Sequence, residues 1–139
     1  MSISESKFAA YLRANKTRFW KFGLVGISGI VVNEGLLALF TEVIILPLAL
    51  AGAVAIESSI LSNFLLNNFW TWRDARHKSF RHRIFSYHSV ALIAGLVNYF
   101  ILIALTMLGM HPLLANLIGI AFGTLINFLL NQHWTFGKI

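Results

Sequence analysis

Four long apolar stretches run along the chain, over residues 22–45, 47–66, 85–108 and 111–130. Each is close to the ~20 residues that an α-helix needs to cross ~30 Å of hydrocarbon. Pro47 separates the first pair, and the sequence Gly-Met-His-Pro at 109–112 separates the second, because a helix tends to stop before a proline. The pattern predicts an all-α membrane protein with four transmembrane helices, arranged as two helical hairpins.

The two predicted hairpins share a sequence. Residues 63–72, Asn-Phe-Leu-Leu-Asn-Asn-Phe-Trp-Thr-Trp, return at 127–136 as Asn-Phe-Leu-Leu-Asn-Gln-His-Trp-Thr-Phe. With a one-residue adjustment, the match extends back to pair Asn33 with Asn98. The sequence therefore predicts two tandem repeats. Because each repeat has two spans, both repeats run in the same direction, with a pseudo-two-fold axis along the membrane normal.

Composition supports the membrane assignment. Apolar residues make up 58% of the 139 positions and charged residues only 12%, which is outside the range of soluble domains. We expect one membrane domain with four parts, in chain order: an interfacial N-terminal segment 1–21, a first hairpin repeat 22–72, a basic cytoplasmic loop 73–84 and a second hairpin repeat 85–139.

The eleven Lys and Arg residues are distributed unevenly: five precede the first span, five lie between the second and third spans, and one is near the C-terminus. The hairpin turns have none, so the positive-inside rule places both termini and the central loop in the cytoplasm. We expect a multi-pass protein of the cytoplasmic (inner) membrane, whose N-terminal segment forms an amphipathic helix on the inner leaflet. The basic residues would meet anionic lipids rather than nucleic acid, because no soluble domain presents them.

Polar side chains inside the spans are the candidate binding residues. Each motif copy has two asparagines four residues apart, Asn63 with Asn67 and Asn127 with Asn131, so each pair shares one helix face near the cytoplasmic end. A carboxamide can hold a sugar hydroxyl or a phosphate oxygen without the desolvation cost of a full charge. The alternative is structural, since such side chains also cap helices or join them.

Four further polar residues are expected near the middle of the membrane. Asn33 and Asn98 each lie about eleven residues into their spans, and repeat symmetry suggests that they face a shared centre. Glu34 and Glu57 are not duplicated. An ionised carboxylate there costs at least ~2.5–3.5 kcal/mol, so each should be protonated or line a wet cavity; the structural alternative is a neutral interhelical hydrogen-bond donor.

Tryptophan and glycine positions predict how the helices are held. All four tryptophans fall at the cytoplasmic boundary, where indole rings favour the headgroup layer: Trp20, Trp70, Trp72 and Trp134. Small residues at regular spacing predict close helix approach: Gly119 with Gly123, and Gly23, Gly26 and Gly29. Four helices enclose little space for a polar cargo, so we expect a homo-oligomer, a dimer or larger.

The chain resembles the GtrA family of small four-span membrane proteins. The resemblance covers essentially the full length, through Phe-Gly-Leu-Val-Gly at 22–26 and the two motif copies. It implies translocation of a polyprenyl-phosphate-linked monosaccharide from the cytoplasmic to the outer leaflet, for polysaccharide or cell-wall glycosylation, with a GtrB-like glycosyltransferase making the lipid. An arginine often follows the second motif asparagine in this family, whereas Asn68 and Gln132 stand here.

The resemblance leads to a hypothesis for the site. Arg73 or Arg18 would hold the phosphate at the cytoplasmic rim, and Trp70 and Trp134 would stack on the apolar face of the sugar. The sugar would also meet polar side chains of the motif and of the mid-membrane: Asn63, Asn67, Asn127, Asn131, Asn33, Glu34, Asn98 and Glu57.

No catalysis, cofactor or metal is expected, since the sequence has no P-loop, dinucleotide fingerprint or nucleophile elbow, and its five histidines are scattered. Two other functions remain open. The protein could be a membrane anchor or scaffold that recruits a polyprenyl-phosphate glycosyltransferase through its basic loop. It could also be a proton-coupled exporter of small cations that uses Glu34.

Overall fold

The computed structural model describes residues 6–137, without the side chain of Leu113, and every regular element in that range is helical. The α-helices are α1 (Lys7–Ala14), α2 (Lys16–Ala38), α3 (Leu48–Leu66), α4 (Phe80–Met107) and α5 (Pro112–Leu130). Three π-helical turns follow α2, α3 and α5, at Leu39–Val43, Asn67–Thr71 and Asn131–Thr135. The four long helices are apolar and long enough to cross a membrane, which confirms the predicted all-α fold with four membrane-spanning helices.

The chain forms two compact units, one ending at Arg73 and one starting at Asp74. In the first unit α2 packs against α3, and in the second α4 packs against α5. The prolines lie where expected: Pro47 is the extended residue before α3, and Pro112 opens α5, where a missing N–H leaves no helical hydrogen bond unmade. Each unit is therefore a helical hairpin.

Two long helices begin earlier than their apolar stretches. Helix α2 starts at Lys16, so Arg18 and Lys21 lie in its first turns and not in a separate interfacial segment. Helix α4 starts at Phe80, within the predicted loop, where the Ser79 hydroxyl oxygen accepts a hydrogen bond from the His82 N–H at 3.2 Å. Hydropathy marks where a helix enters hydrocarbon, whereas the backbone continues its hydrogen bonding into the polar layer, where long basic side chains reach water.

The predicted N-terminal helix is present as α1. Its N-cap is Ser6, whose hydroxyl oxygen accepts a hydrogen bond from the Ala9 N–H at 3.3 Å. Asn15 ends it, and its side-chain amide donates to the Tyr11 carbonyl at 2.9 Å. The start of the predicted segment, residues 1–5, lies outside the described residues, and the position of α1 on a membrane surface stays a prediction.

Trp72 corrects the prediction that all four tryptophans lie in the headgroup layer. Its side chain is fully buried and meets the Phe22 ring edge to face, with the centroids 5.8 Å apart. Trp20, Trp70 and Trp134 are exposed. The position in sequence gives depth along the helix axis but not the direction of the side chain, and Trp72 points into the first unit.

Glycines bring the helix backbones together, most closely in the second unit. A Cβ atom at Gly123 would lie 2.9 Å from the carbonyl oxygen of Ala94, and one at Gly119 would lie 2.8 Å from that of Asn98. This confirms the predicted close approach of α5. In the first unit Gly29 is crowded, but the prediction is wrong for Gly23 and Gly26, where an added Cβ atom would meet no other atom within 4 Å.

Substitution of Gly123 by alanine should therefore destabilise the protein. The added methyl group meets a backbone oxygen that cannot rotate away, which should cost about 1–3 kcal/mol. Thermal unfolding in detergent measures the loss. The matched control is Gly95→Ala on α4, where a Cβ atom meets open space and the melting temperature should not fall, since alanine favours a helix more than glycine does. Equal melting temperatures for the two variants would contradict the close packing of α4 and α5.

Candidate functional site

Each copy of the motif begins in the last turn of an α-helix and continues into a π-helical turn. The backbone N–H of Trp72 donates to the carbonyl of Asn67 at 2.8 Å, and that of Phe136 donates to Asn131 at 2.9 Å, each over five residues. The extra residue per turn re-aims the side chains that follow, so that Trp72 and Phe136 are buried. Sequence reasoning missed these turns; the recurrence of Asn-x-x-x-Thr at 67–71 and 131–135 was the available signal.

The second asparagine of each copy is bonded inside its own motif. The Thr71 hydroxyl donates to Oδ1 of Asn67 at 2.7 Å, and the Thr135 hydroxyl donates to Oδ1 of Asn131 at 2.7 Å. Both carboxamides are buried. These bonds fasten the ends of the motif, so the geometry favours the structural alternative for Asn67 and Asn131.

The first asparagine of each copy differs between the units. In the second unit, Nδ2 of Asn131 donates to Oδ1 of Asn127 at 2.6 Å and to its carbonyl at 3.0 Å, so the predicted pair is joined. In the first unit, Oδ1 of Asn63 is buried and finds no hydrogen-bond partner among the described residues. The Asn63 carboxamide lies directly against Gly29 of α2, where no Cβ atom would fit.

A cavity of about 290 Å³ opens between α2 and α3 beside Asn63. Its lining segments, residues 26–34 and 56–63, reach from the middle of the apolar stretches 22–45 and 47–66 toward the ends that adjoin the basic residues. They extend roughly 10–12 Å along the helix axes. The lining consists of small, aliphatic and polar residues: Gly26, Gly29, Ile30, Asn33, Glu34, Ile56, Ser59, Ile60 and Asn63.

The cavity gathers three of the predicted binding residues, Asn33, Glu34 and Asn63. Ser59, which the sequence did not single out, joins them, and its hydroxyl donates to the carbonyl of Gly29 at 2.7 Å. Glu57 is exposed and does not line this cavity. Polar side chains within apolar spans are costly without partners, so this cluster is the strongest candidate site.

In the second unit, Asn98 lies against α5. Its carboxamide meets the position where a Gly119 Cβ atom would stand, and its Oδ1 is a second buried acceptor that finds no hydrogen-bond partner in the described range. Asn33 and Asn98 are thus each described within their own unit. The shared centre predicted for them stays a prediction.

The predicted phosphate ligands and aromatic contacts lie near the start of α2 and just after the ends of α3 and α5. Arg18 is half-buried in α2, and Arg73 is exposed just after Trp72. Lys21 places its ammonium 5.4 Å from the centroid of the Trp70 ring, a cation–π contact in the first unit. In the second unit, the partly exposed Trp134 accepts a hydrogen bond on its carbonyl from the Lys78 amine.

Arg83 has a structural role, because its side chain bonds to the backbone of the basic loop. Its guanidinium is buried, and Nη1 donates to the carbonyls of Lys78 at 2.8 Å and Arg76 at 3.3 Å. These bonds tie the loop 76–78 to the start of α4. Arg83 therefore shapes the basic loop, whereas Arg73 and Arg18 keep the role of candidate phosphate ligands.

The family of GtrA/DPMS transmembrane domains matches residues 21–136, a range that contains both motif copies and the whole cavity. The chain belongs to this family. A curated relative of similar sequence is the dolichol-phosphate mannosyltransferase of Pyrococcus furiosus, 42% identical over 118 residues. The match covers 85% of this chain but 33% of the relative, so the GtrA/DPMS domain spans about a third of the relative's length.

One feature of this GtrA/DPMS domain escaped the sequence reasoning. Asn68 is fully buried, and neither atom of its carboxamide has a hydrogen-bond partner in the part of the chain that the structure describes. Its signal was the position itself, next to Asn67, where the family often has arginine. A buried amide left without partners costs about 1–3 kcal/mol. Asn68 thus joins Asn63 and Asn98, whose Oδ1 atoms are likewise buried without a hydrogen-bond partner among the described residues.

Loss of the Asn–Thr bonds should loosen the motif ends. In Thr71→Val and Thr135→Val, a side chain of the same shape leaves a buried Asn Oδ1 without its donor, which should lower the free energy of unfolding by about 1–3 kcal/mol. Chemical denaturation in detergent measures this change. Thr17→Val, at an exposed position of α2, is the matched control and should behave as the unmodified protein. No difference between Thr17→Val and Thr71→Val would show that the bond has no structural weight.

Proposed function

We propose that this GtrA/DPMS domain binds a polyprenyl-phosphate-linked monosaccharide and moves it from the cytoplasmic to the outer leaflet, without catalysing a covalent step itself. The observation that carries the proposal is the cavity between α2 and α3, which is lined by Asn33, Glu34 and Asn63. A sugar crossing hydrocarbon loses its hydrogen bonds to water, and every unsatisfied polar group there is costly. Polar side chains inside the spans lower that barrier.

The openness of the cavity to its surroundings supports a lipid-linked cargo. Ile30 and Ile56 form part of its wall and are exposed. In a membrane these side chains would meet acyl chains, so a prenyl tail can stay in lipid while the sugar occupies the cavity. The volume of about 290 Å³ is near the lower end of the ~300–1,000 Å³ typical of small-molecule sites, which suits one sugar ring.

The other polar residues have supporting roles in this proposal. Arg73 or Arg18 attracts the phosphate at the cytoplasmic rim, where an arginine fork suits phosphate oxygens. Trp70, with Lys21 over its ring, provides an aromatic surface at the same end. Asn67 and Asn131 keep the motif ends in place, so the sugar passes from the rim to Asn63, Asn33 and Glu34.

The substrate class is supported by the family and by the Pyrococcus relative, whose name describes a transferase that uses dolichol phosphate. The same relative favours a second candidate function. Because the matched region is only a third of that protein, a domain of this kind occurs there within a longer chain named as a glycosyltransferase. This chain could accordingly anchor a separate polyprenyl-phosphate glycosyltransferase in the membrane.

Both termini and the central loop should be cytoplasmic. The chain has no cysteine, so single-cysteine variants can be labelled without background. His77→Cys in the central loop and His111→Cys in the second hairpin turn form a matched pair, since both positions are exposed. A membrane-impermeant maleimide applied to intact cells should label His111→Cys at once and His77→Cys only after permeabilisation. The opposite pattern would contradict the cytoplasmic placement of the central loop and of the basic residues assigned to the phosphate.

Translocation itself can be measured in liposomes that contain a polyprenyl-phosphate sugar. A membrane-impermeant oxidant should consume a protein-dependent fraction of the lipid over time. Asn63→Ala should slow this exposure about fivefold, because a hydrogen bond to the sugar is worth about 1 kcal/mol. Glu42→Gln, an exposed carboxylate outside the cavity, is the control and should leave the rate unchanged.

The outcomes separate the two candidate functions. No protein-dependent exposure, together with normal binding to the partner glycosyltransferase, would exclude translocation and support the anchor. Exposure at the full rate in a well-folded Asn63→Ala variant would leave translocation standing but remove the cavity from its mechanism.

A further inference from the structure

We infer that the cavity between α2 and α3 selects an uncharged sugar by accepting hydrogen bonds from its hydroxyl groups, and that it excludes sugars with a carboxylate, such as uronic acids. This inference rests on the proposed function, since it specifies the cargo that the same cavity takes. It follows from the donors, acceptors and charges of the lining residues.

The polar atoms of the lining are mainly acceptors. Oδ1 of Asn63 is a buried acceptor that receives no hydrogen bond from any described residue. The Ser59 hydroxyl already donates its hydrogen bond to the carbonyl of Gly29, at 2.7 Å, so toward a ligand it can act only as an acceptor. Glu34 adds carboxyl oxygens, and Asn33 can accept or donate. A ligand that donates several hydrogen bonds satisfies this set, and hydroxyl groups do so.

The cavity offers nothing to neutralise an anion. None of the described residues that line it is basic, whereas Glu34 carries a carboxyl group. The basic residues of α2 lie in its first turns: Lys16, Arg18 and Lys21. Lys21 is five residues before Gly26, the first lining residue of α2, or about 7.5 Å along the helix axis, and about 20 Å before Glu34. A carboxylate beside Glu34 would therefore be desolvated next to an acidic group and out of reach of these cations.

The phosphate of such a lipid is bonded directly to the anomeric carbon, so it lies beside one edge of the sugar ring. With the sugar in the cavity, its phosphate can lie toward the cytoplasmic end of α2, where the basic side chains are. The cavity then recognises only the sugar ring. The hydroxyl groups of a neutral ring can donate hydrogen bonds to the acceptors of the lining. A carboxylate on the ring has no hydrogen to donate and would face these acceptors unpaired.

Equilibrium binding of two matched probes tests this inference. Polyprenyl-phosphate glucose and polyprenyl-phosphate glucuronic acid with identical prenyl chains differ at one carbon of the ring. Native mass spectrometry of the purified protein should show at least about tenfold tighter binding of the glucose lipid, since a buried carboxylate would go unpaired. Glu34→Gln, which keeps the size of the side chain, should narrow the ratio, and Glu42→Gln should leave it unchanged.

Equal binding of the two lipids, or tighter binding of the glucuronic acid lipid, would overturn the inference and leave translocation intact. The assignment of this selectivity to the cavity would be overturned if Glu34→Gln left the ratio of the two affinities unchanged. It would also be overturned if Glu42→Gln changed this ratio as much as Glu34→Gln does. Binding of neither lipid would overturn both the inference and the proposed function. Selective binding without movement in liposomes would contradict only translocation.

Discussion

The interior of a bilayer offers no hydrogen-bond partner, and this constraint decides what each polar side chain in the four spans can do. Most of the motif obeys it through internal bonds. Thr71 and Thr135 each supply a hydroxyl to an asparagine, and Asn131 supplies its amide to Asn127. Asn63 does not find such a bond, although it occupies the same motif position as Asn127. The unsatisfied acceptor lies beside the cavity, which is why a ligand is the natural partner for it.

The two units thus use one sequence motif in different ways. The second unit closes its asparagine pair and brings α4 and α5 together at Gly119 and Gly123, where the backbones nearly touch. In the first unit α2 and α3 come close at Gly29, where Asn63 lies against it, and polar side chains line the cavity beside this contact. Duplication followed by such divergence would give one half for stability and one half for binding. Arg83 adds to the structural role of the second unit, because it holds the basic loop against α4.

Hydropathy and proline positions were sufficient to predict the four helices and the hairpin turns, because both depend on the chain locally. They could not give the helix starts at Lys16 and Phe80, since a helix continues past the apolar region. The grouping of Asn33, Glu34 and Asn63 needs the packing of α2 on α3, which the sequence does not specify. The burial of Trp72 and Asn68 escaped prediction for the same reason, because the π-helical turn changes the direction of the side chains after residue 66.

Photo-crosslinking with a polyprenyl-phosphate sugar that carries a diazirine on the sugar ring tests the central claim most directly. The claim is that the sugar enters the cavity between α2 and α3 of the first unit. Mass spectrometry of the digested protein should place the label on residues 26–34 and 56–63. Free sugar at the same concentration as the lipid probe should not reduce this labelling. Label confined to the basic loop 74–79, or to the second hairpin, would contradict the account.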